Sequence, residues 1–170
     1  MSINQTIRAF VAILFIAISF GCSKGADPLD VANAKPVDQA LVASNPALAM
    51  VERFNMGSNL EHMAIQVSKK THTYAMVAEK HGTSNAQSVI TEEIQKILPV
   101  YQVRWNQNLA NAYSSHLTPD ELRSLAVDGK QSPYANKLQA EQKSVGEDMQ
   151  KISSPILTEL VTKALTNAIN

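Results

Sequence analysis

Beyond residue 45 the chain sets apolar residues at three-, four- or seven-residue spacing between short polar breaks, the period of amphipathic helices. Asn45-Pro46 opens the first helix, because an Asn side chain accepts from free backbone amides and Pro fits the first helical position. That helix is expected to end at Gly57. Ser58 and Glu61 then have capping-box spacing, and Leu60, Met63, Ala64, Val67, Tyr74 and Val77 follow on one helical face as far as His81-Gly82. Ser84 with Gln87 repeats the signal ahead of Ile90, Ile94, Ile97, Tyr101, Trp105, Leu109 and Tyr113. Pro99 is expected to kink or divide this long helix.

Thr118-Pro119-Asp120-Glu121 is the strongest start signal: a capping hydroxyl, Pro in the first turn, and two carboxylates at the positive helix end. Leu122, Leu125 and Ala126 supply the buried face before Asp128-Gly129 stops the helix. Ser132-Pro133 opens another with Tyr134, Leu138, Val145, Met149 and Ile152 inward, and Ser154-Pro155 restarts or kinks it. Ile156, Leu157, Leu160, Val161, Ala164, Leu165 and Ala168 then form the most amphipathic stretch. No strand pattern, phosphate-binding glycine loop or internal repeat is apparent, so residues 46–170 are expected to form an all-α compact helical bundle of about five to seven helices.

The N-terminal segment reads differently. One cation, Arg8, precedes an almost unbroken apolar run from Ala9 to Phe20, the layout of an export signal and shorter than the roughly 20 apolar residues of a spanning helix. Gly21 then precedes the single cysteine, Cys22, and a polar stretch. This segment resembles a bacterial lipoprotein signal. The resemblance implies cleavage after residue 21, acylation of Cys22, and, with Ser23 next to it, retention in the outer membrane facing the periplasm; an ordinary cleaved signal would instead leave a soluble periplasmic protein. Residues 22–45 lack a sustained period and read as a lipidated cysteine and flexible tether, with a short helical turn near Val37 to Val42. Such a tether has a root-mean-square reach of about 25 Å.

Composition narrows the function classes. Fifteen basic residues balance fifteen acidic ones, which argues against a nucleic-acid partner. A lone cysteine excludes an internal disulfide framework, and aromatics at 5% make the core mainly aliphatic. His62, His72, His81 and His116, with Met50, Met56 and Met63, are the soft-metal candidates, but no two histidines stand three or four apart on a helix. No metal or other cofactor is expected. Conspicuous Ser and Thr residues fall at helix starts, and the adjacent acids Glu92-Glu93 and Glu147-Asp148 point about 100 degrees apart on a helix, so no catalytic set is assigned.

The stretch from Tyr101 to about Ile152 resembles a family of small exported bacterial proteins known as domain of unknown function 2059. Its Thr-x-x-Glu-Leu helix start is matched by Thr118, Glu121 and Leu122, with Leu125 following, and its Ser-Pro-x-Gly-x-Lys start by Ser132, Pro133 and Lys137. Asp128-Gly129 stands where the family carries a Phe-Tyr pair, and Ala135 replaces the family Gly. The resemblance implies a helical envelope protein and brings no catalytic residues. Candidate partner-binding residues are Asp128, Gly129, Lys130 and Gln131 in the turn reaching Pro133, and Tyr101, Trp105 and Tyr113 with Asn106 and Asn108, which form either a groove or the centre of a core. The expected function is non-catalytic: an envelope-anchored helical module that binds a protein or cell-wall partner, or alternatively an inhibitor or immunity protein neutralising a periplasmic toxin or cell-wall enzyme.

Overall fold

The computed structural model describes Pro28, Leu29 and residues 34–170. The segment expected to be a signal, and Cys22, lie outside the described residues. Within them the architecture is the expected all-α bundle: α1 (Gln39–Ser44), α2 (Pro46–Arg53), α3 (Leu60–Ser68), α4 (His72–His81), α5 (Ala86–Ser114), α6 (Pro119–Asp128), a 3-10 turn (Gly129–Gln131) and α7 (Ala135–Ile169). No described helix is long and apolar enough to cross a membrane.

The two longest helices form the spine. Their side-chain contacts pair Tyr101 with Glu159, Asn108 with Ser153 and Tyr113 with Gln142, so α5 and α7 run antiparallel. Helices α3 and α4 pack against both members of the spine, α2 packs on α5 and α6, and α1 rests on α2 and α6. Ile90, Ile94, Trp105, Leu138, Leu157 and Leu160 are fully buried between these layers. Each such side chain contributes roughly 1.5–3 kcal/mol by leaving water.

Local chemistry explains most boundaries. Asn45 accepts from the Leu48 amide at 3.1 Å with Pro46 in the first turn, and Thr118 and Glu121 form the expected reciprocal capping box. Gly129, with φ of 57°, takes a positive-φ conformation that glycine adopts without strain and ends α6 at the expected place. Ordered packing reaches upstream of residue 46, because Asp38 caps α1 through the Leu41 amide and Val42 is buried.

Several boundaries differ from the sequence pattern. Helix α2 stops at Arg53, four residues before Gly57, and it is Asn55 that turns left-handed with φ of 50°. The Ser58 and Ser84 boxes do not form: Asn59 and Asn85 occupy the capping positions in right-handed conformation without side-chain cap bonds. The expected helix from Leu60 to His81 is two helices, because the Thr71 hydroxyl donates to Ser68 O at 2.7 Å and accepts from the Tyr74 amide, ending one helix and capping the next. Neither Pro99 nor Pro155 divides its helix. Both prolines are exposed, so the carbonyl each leaves without an amide faces water while the opposite side stays packed. Ile152 is 43% exposed, and its neighbour Ser153 points inward instead, bonded to Asn108.

Two packing contacts lie beyond any local signal. Arg53 donates to Ala126 O and Val127 O at 2.5 and 2.6 Å, satisfying carbonyls at the end of α6. Gly57 lies under α5, where Gln102 donates to Gly57 O at 2.9 Å and to Asn106 Oδ1 at 2.8 Å. A Cβ at Gly57 would overlap Asn106 Oδ1. Gly57→Ala is therefore expected to cost about 1–3 kcal/mol by overpacking. Leu160→Asp, which places an unpaired charge at a fully buried position, is expected to cost several kcal/mol and abolish the cooperative melt. Urea denaturation followed by circular dichroism measures both, and a melt unchanged in Leu160→Asp would contradict the core assignment.

Candidate functional site

The residues of the Thr-x-x-Glu-Leu and Ser-Pro starts meet along α6 as the chain folds back from it into α7. Thr118 Oγ1 accepts from the Glu121 amide at 3.4 Å, while Glu121 accepts from the Thr118 amide at 2.8 Å. The same carboxylate receives Lys137 Nζ, which stands 2.8 Å from both of its oxygens. Glu121 therefore closes the start of α6 and ties it to the first turn of α7.

A chain of hydroxyls fixes the intervening turn. Ser124 donates to Asp128 Oδ2 at 3.0 Å and so accepts from Ser132, whose oxygen is 2.9 Å away. Ser132, in turn, accepts from the Tyr134 amide at 3.2 Å. Gly129 and Ser132 are buried, whereas Asp128, Lys130, Gln131 and Pro133 are exposed. The turn is thus a knuckle anchored at two inward points and presenting mixed charge and polarity to solvent.

The aromatic candidates belong elsewhere. Tyr101, Trp105 and Tyr113 are 4%, 2% and 2% exposed, so their rings fill the core along α5 and do not line an open groove. The Tyr101 hydroxyl donates to Glu159, which also receives Arg104 at 3.0 Å, and Tyr113 pairs with Gln142. Burial pushes the Tyr113 hydroxyl up to about 12. Asn106 and Asn108 are engaged by Gln102 and Ser153 respectively.

The soft-metal candidates are scattered. Met50 and Met63 are fully buried, Met56 is half-buried against the core, and His62 and His72 are exposed. His81 Nε2 lies 2.9 Å from Ala168 O, where it and Lys80 cap the end of α7. Among the described residues, no group of three or more His, Cys, Asp or Glu is placed to hold a metal ion. Of the acidic pairs, Glu93 holds Lys96, Glu147 lies near Lys143, and Asp148 is engaged by His116 and Lys151. A shallow groove of about 470 Å³ runs along the outer face of α7, lined by Pro155, Thr158, Glu159, Thr162, Lys163 and Thr166.

No protein-family model matches the chain, and neither the curated proteins nor the solved structures include a match.

Arg53, Gln102 and His116 carry contacts that sequence reading did not anticipate. Their partners lie far along the chain, as with Arg53 and Ala126, and nothing in the spacing of one strand of sequence announces such pairs.

The Glu121 corner has a pH signature. The Lys137 hydrogen bond first, and the Thr118 amide second, hold the Glu121 carboxyl below its ordinary value of 4.5. A group lowered on folding contributes stability that is complete above its unfolded value and is lost as pH falls through the folded one. Wild-type protein is therefore expected to lose stability on acidification below about pH 5, and Glu121→Gln to show a shallower loss over that window. Parallel denaturation curves for the two across this range would refute the assignment.

Proposed function

We propose that this protein is an envelope-anchored helical interaction module, held to a membrane through Cys22 and binding a protein or cell-wall partner through the exposed knuckle between α6 and α7. The anchor rests on the sequence from Arg8 to Cys22, with its short apolar run, Gly21, and a single thiol followed by polar residues. Two or three acyl chains give a stable attachment, since each buried methylene contributes about 0.8 kcal/mol. The outer membrane, facing the periplasm, is the proposed destination.

The observation that carries the binding reading is the knuckle itself. Asp128, Lys130, Gln131 and Pro133 stand out in solvent from a turn whose buried members, Gly129 and Ser132, fix its shape. A pre-organised loop loses little conformational freedom on binding, which favours recognition by shape and polarity. The hydroxyls and carboxylates nearest to it are engaged in capping and clamping, as in the Thr118–Glu121–Lys137 set, a use that supports binding over chemistry. The Thr118 to Lys137 motif is equally consistent with the family resemblance, with its members serving as the frame that carries the knuckle.

Cys22→Ala is expected to block lipoprotein processing and to move the protein out of the detergent phase on partition of cell extracts. Unchanged processing and partition would remove the anchor. Exchanging Lys130 and Gln131 for Glu and Ala is expected to reduce recovery of a cross-linked envelope partner at least several-fold with an unchanged melt. Recovery equal to that of wild type would move the binding surface away from the knuckle.

A further inference from the structure

The turn between α5 and α6 carries a histidine gripped on both sides of its ring. His116 Nε2 lies 2.9 Å from Asp148 Oδ2, and its Nδ1 lies 3.4 Å from Glu141 Oε2. The two carboxylates are seven residues apart on α7 and so share one helix face. Lys151 Nζ stands 3.2 Å from Asp148 Oδ1. The ring and both of its partners are mostly shielded, with side chains 23%, 30% and 32% exposed for His116, Glu141 and Asp148.

Hydrogen counting gives this arrangement a direction. Ionised carboxylates only accept, and a neutral imidazole has one N–H and one bare lone pair. Only the imidazolium offers a hydrogen to each side. With a neutral ring, one nitrogen lone pair is set against carboxylate oxygen. We propose that His116, Glu141 and Asp148 form a proton-operated latch that fastens the α5–α6 turn to α7 when the ring is cationic and slackens when the ring is neutral. The charged groups facing the ring all come from α7, namely Glu141 and Asp148 with Lys151 behind Asp148; the described contacts place none from α5 or α6 against it.

The latch controls a consequential joint. Two residues after His116, Thr118 begins the capping box of α6, and α6 leads into the exposed knuckle. On the acid side, the His116 hydrogen bond first and Lys151 second hold the Asp148 carboxyl below its ordinary 3.8, so acid breaks the grip only as pH falls through that lowered value. On the other side, a ring that has lost its second N–H has no hydrogen left for one of its two carboxylates, so one half of the grip opens. This inference does not depend on the lipid anchor or on the identity of a partner.

Urea denaturation of the full-length chain in mild non-ionic detergent, at about pH 5.5 and about pH 8.5, brackets the ordinary imidazole range. Between these two values the unfolding constant of the wild type is expected to rise at least about threefold more than that of His116→Gln. His62, His72 and His81 are present in both proteins, so the comparison isolates the position of His116. Asp148→Asn and Glu141→Gln, at partly exposed positions that tolerate the isosteric change, are each expected to shrink the wild-type pH response. They carry the comparison alone if His116→Gln fails to fold. Equal pH responses in wild type and His116→Gln, or a full wild-type response in both carboxylate variants, would overturn the latch.

Discussion

Everything in this bundle is referred to the antiparallel contact between α5 and α7. Each helix is far longer than an isolated segment needs to be marginally stable, yet neither would persist in water with its apolar stripe exposed, because tertiary burial supplies most helical stability in proteins. Packing one stripe on the other leaves two flanks. Helices α3 and α4 pack across both members of the spine, α2 packs on α5, and α6 is carried on α2. The shorter helices therefore depend on the spine for their buried faces, and the spine depends on them to keep Trp105 and its neighbours dry.

The polar interactions at the edges serve a different end. Burial of aliphatic side chains is nearly non-directional, so it does not by itself choose where a short helix begins or how it is angled. Hydrogen bonds do that. Arg53 reaches from α2 to the last carbonyls of α6, Lys80 and His81 from α4 to those of α7, and Lys137 from α7 to the first turn of α6. Arg53, Lys80 and His81 satisfy terminal carbonyls that lack partners within their own helix, while Lys137 holds the Glu121 carboxylate that caps the start of α6. Helix ends are thereby turned into joints, and the joints fix the knuckle and the His116 turn relative to the spine.

These joints give the two readings of function a common structural basis. A partner surface built on the α6–α7 turn is only as well defined as the frame that presents it, and that frame is held at Thr118 by the capping box and at Glu121 by Lys137. Protonation of the ring at His116 acts at the opposite end of α6 from the knuckle. The same short helix would thus link a proton-sensitive turn to an exposed one, with no requirement for a change in the spine.

The sequence by itself determined the helical class, the face each main helix buries, and the starts at Asn45 and Thr118, because those properties depend on residues within one or two turns of each other. The apolar period identified Ile90, Trp105, Leu138 and Leu160 as core for the same reason. Tertiary structure decided what local spacing leaves open. Thr71 could have remained in a continuous helix, but its hydroxyl takes the Ser68 carbonyl and the flanking helices pack separately. Pro155 could have broken α7, but its exposed face meets water while Leu157 and Leu160 remain packed. Tyr101, Trp105 and Tyr113 fitted either a groove or a core, and only the covering helices made them core. His116 acquired its two carboxylates in the same way: residues 25 and 32 positions downstream reach it because α7 runs back along α5, a contact set by the fold and invisible to any local spacing.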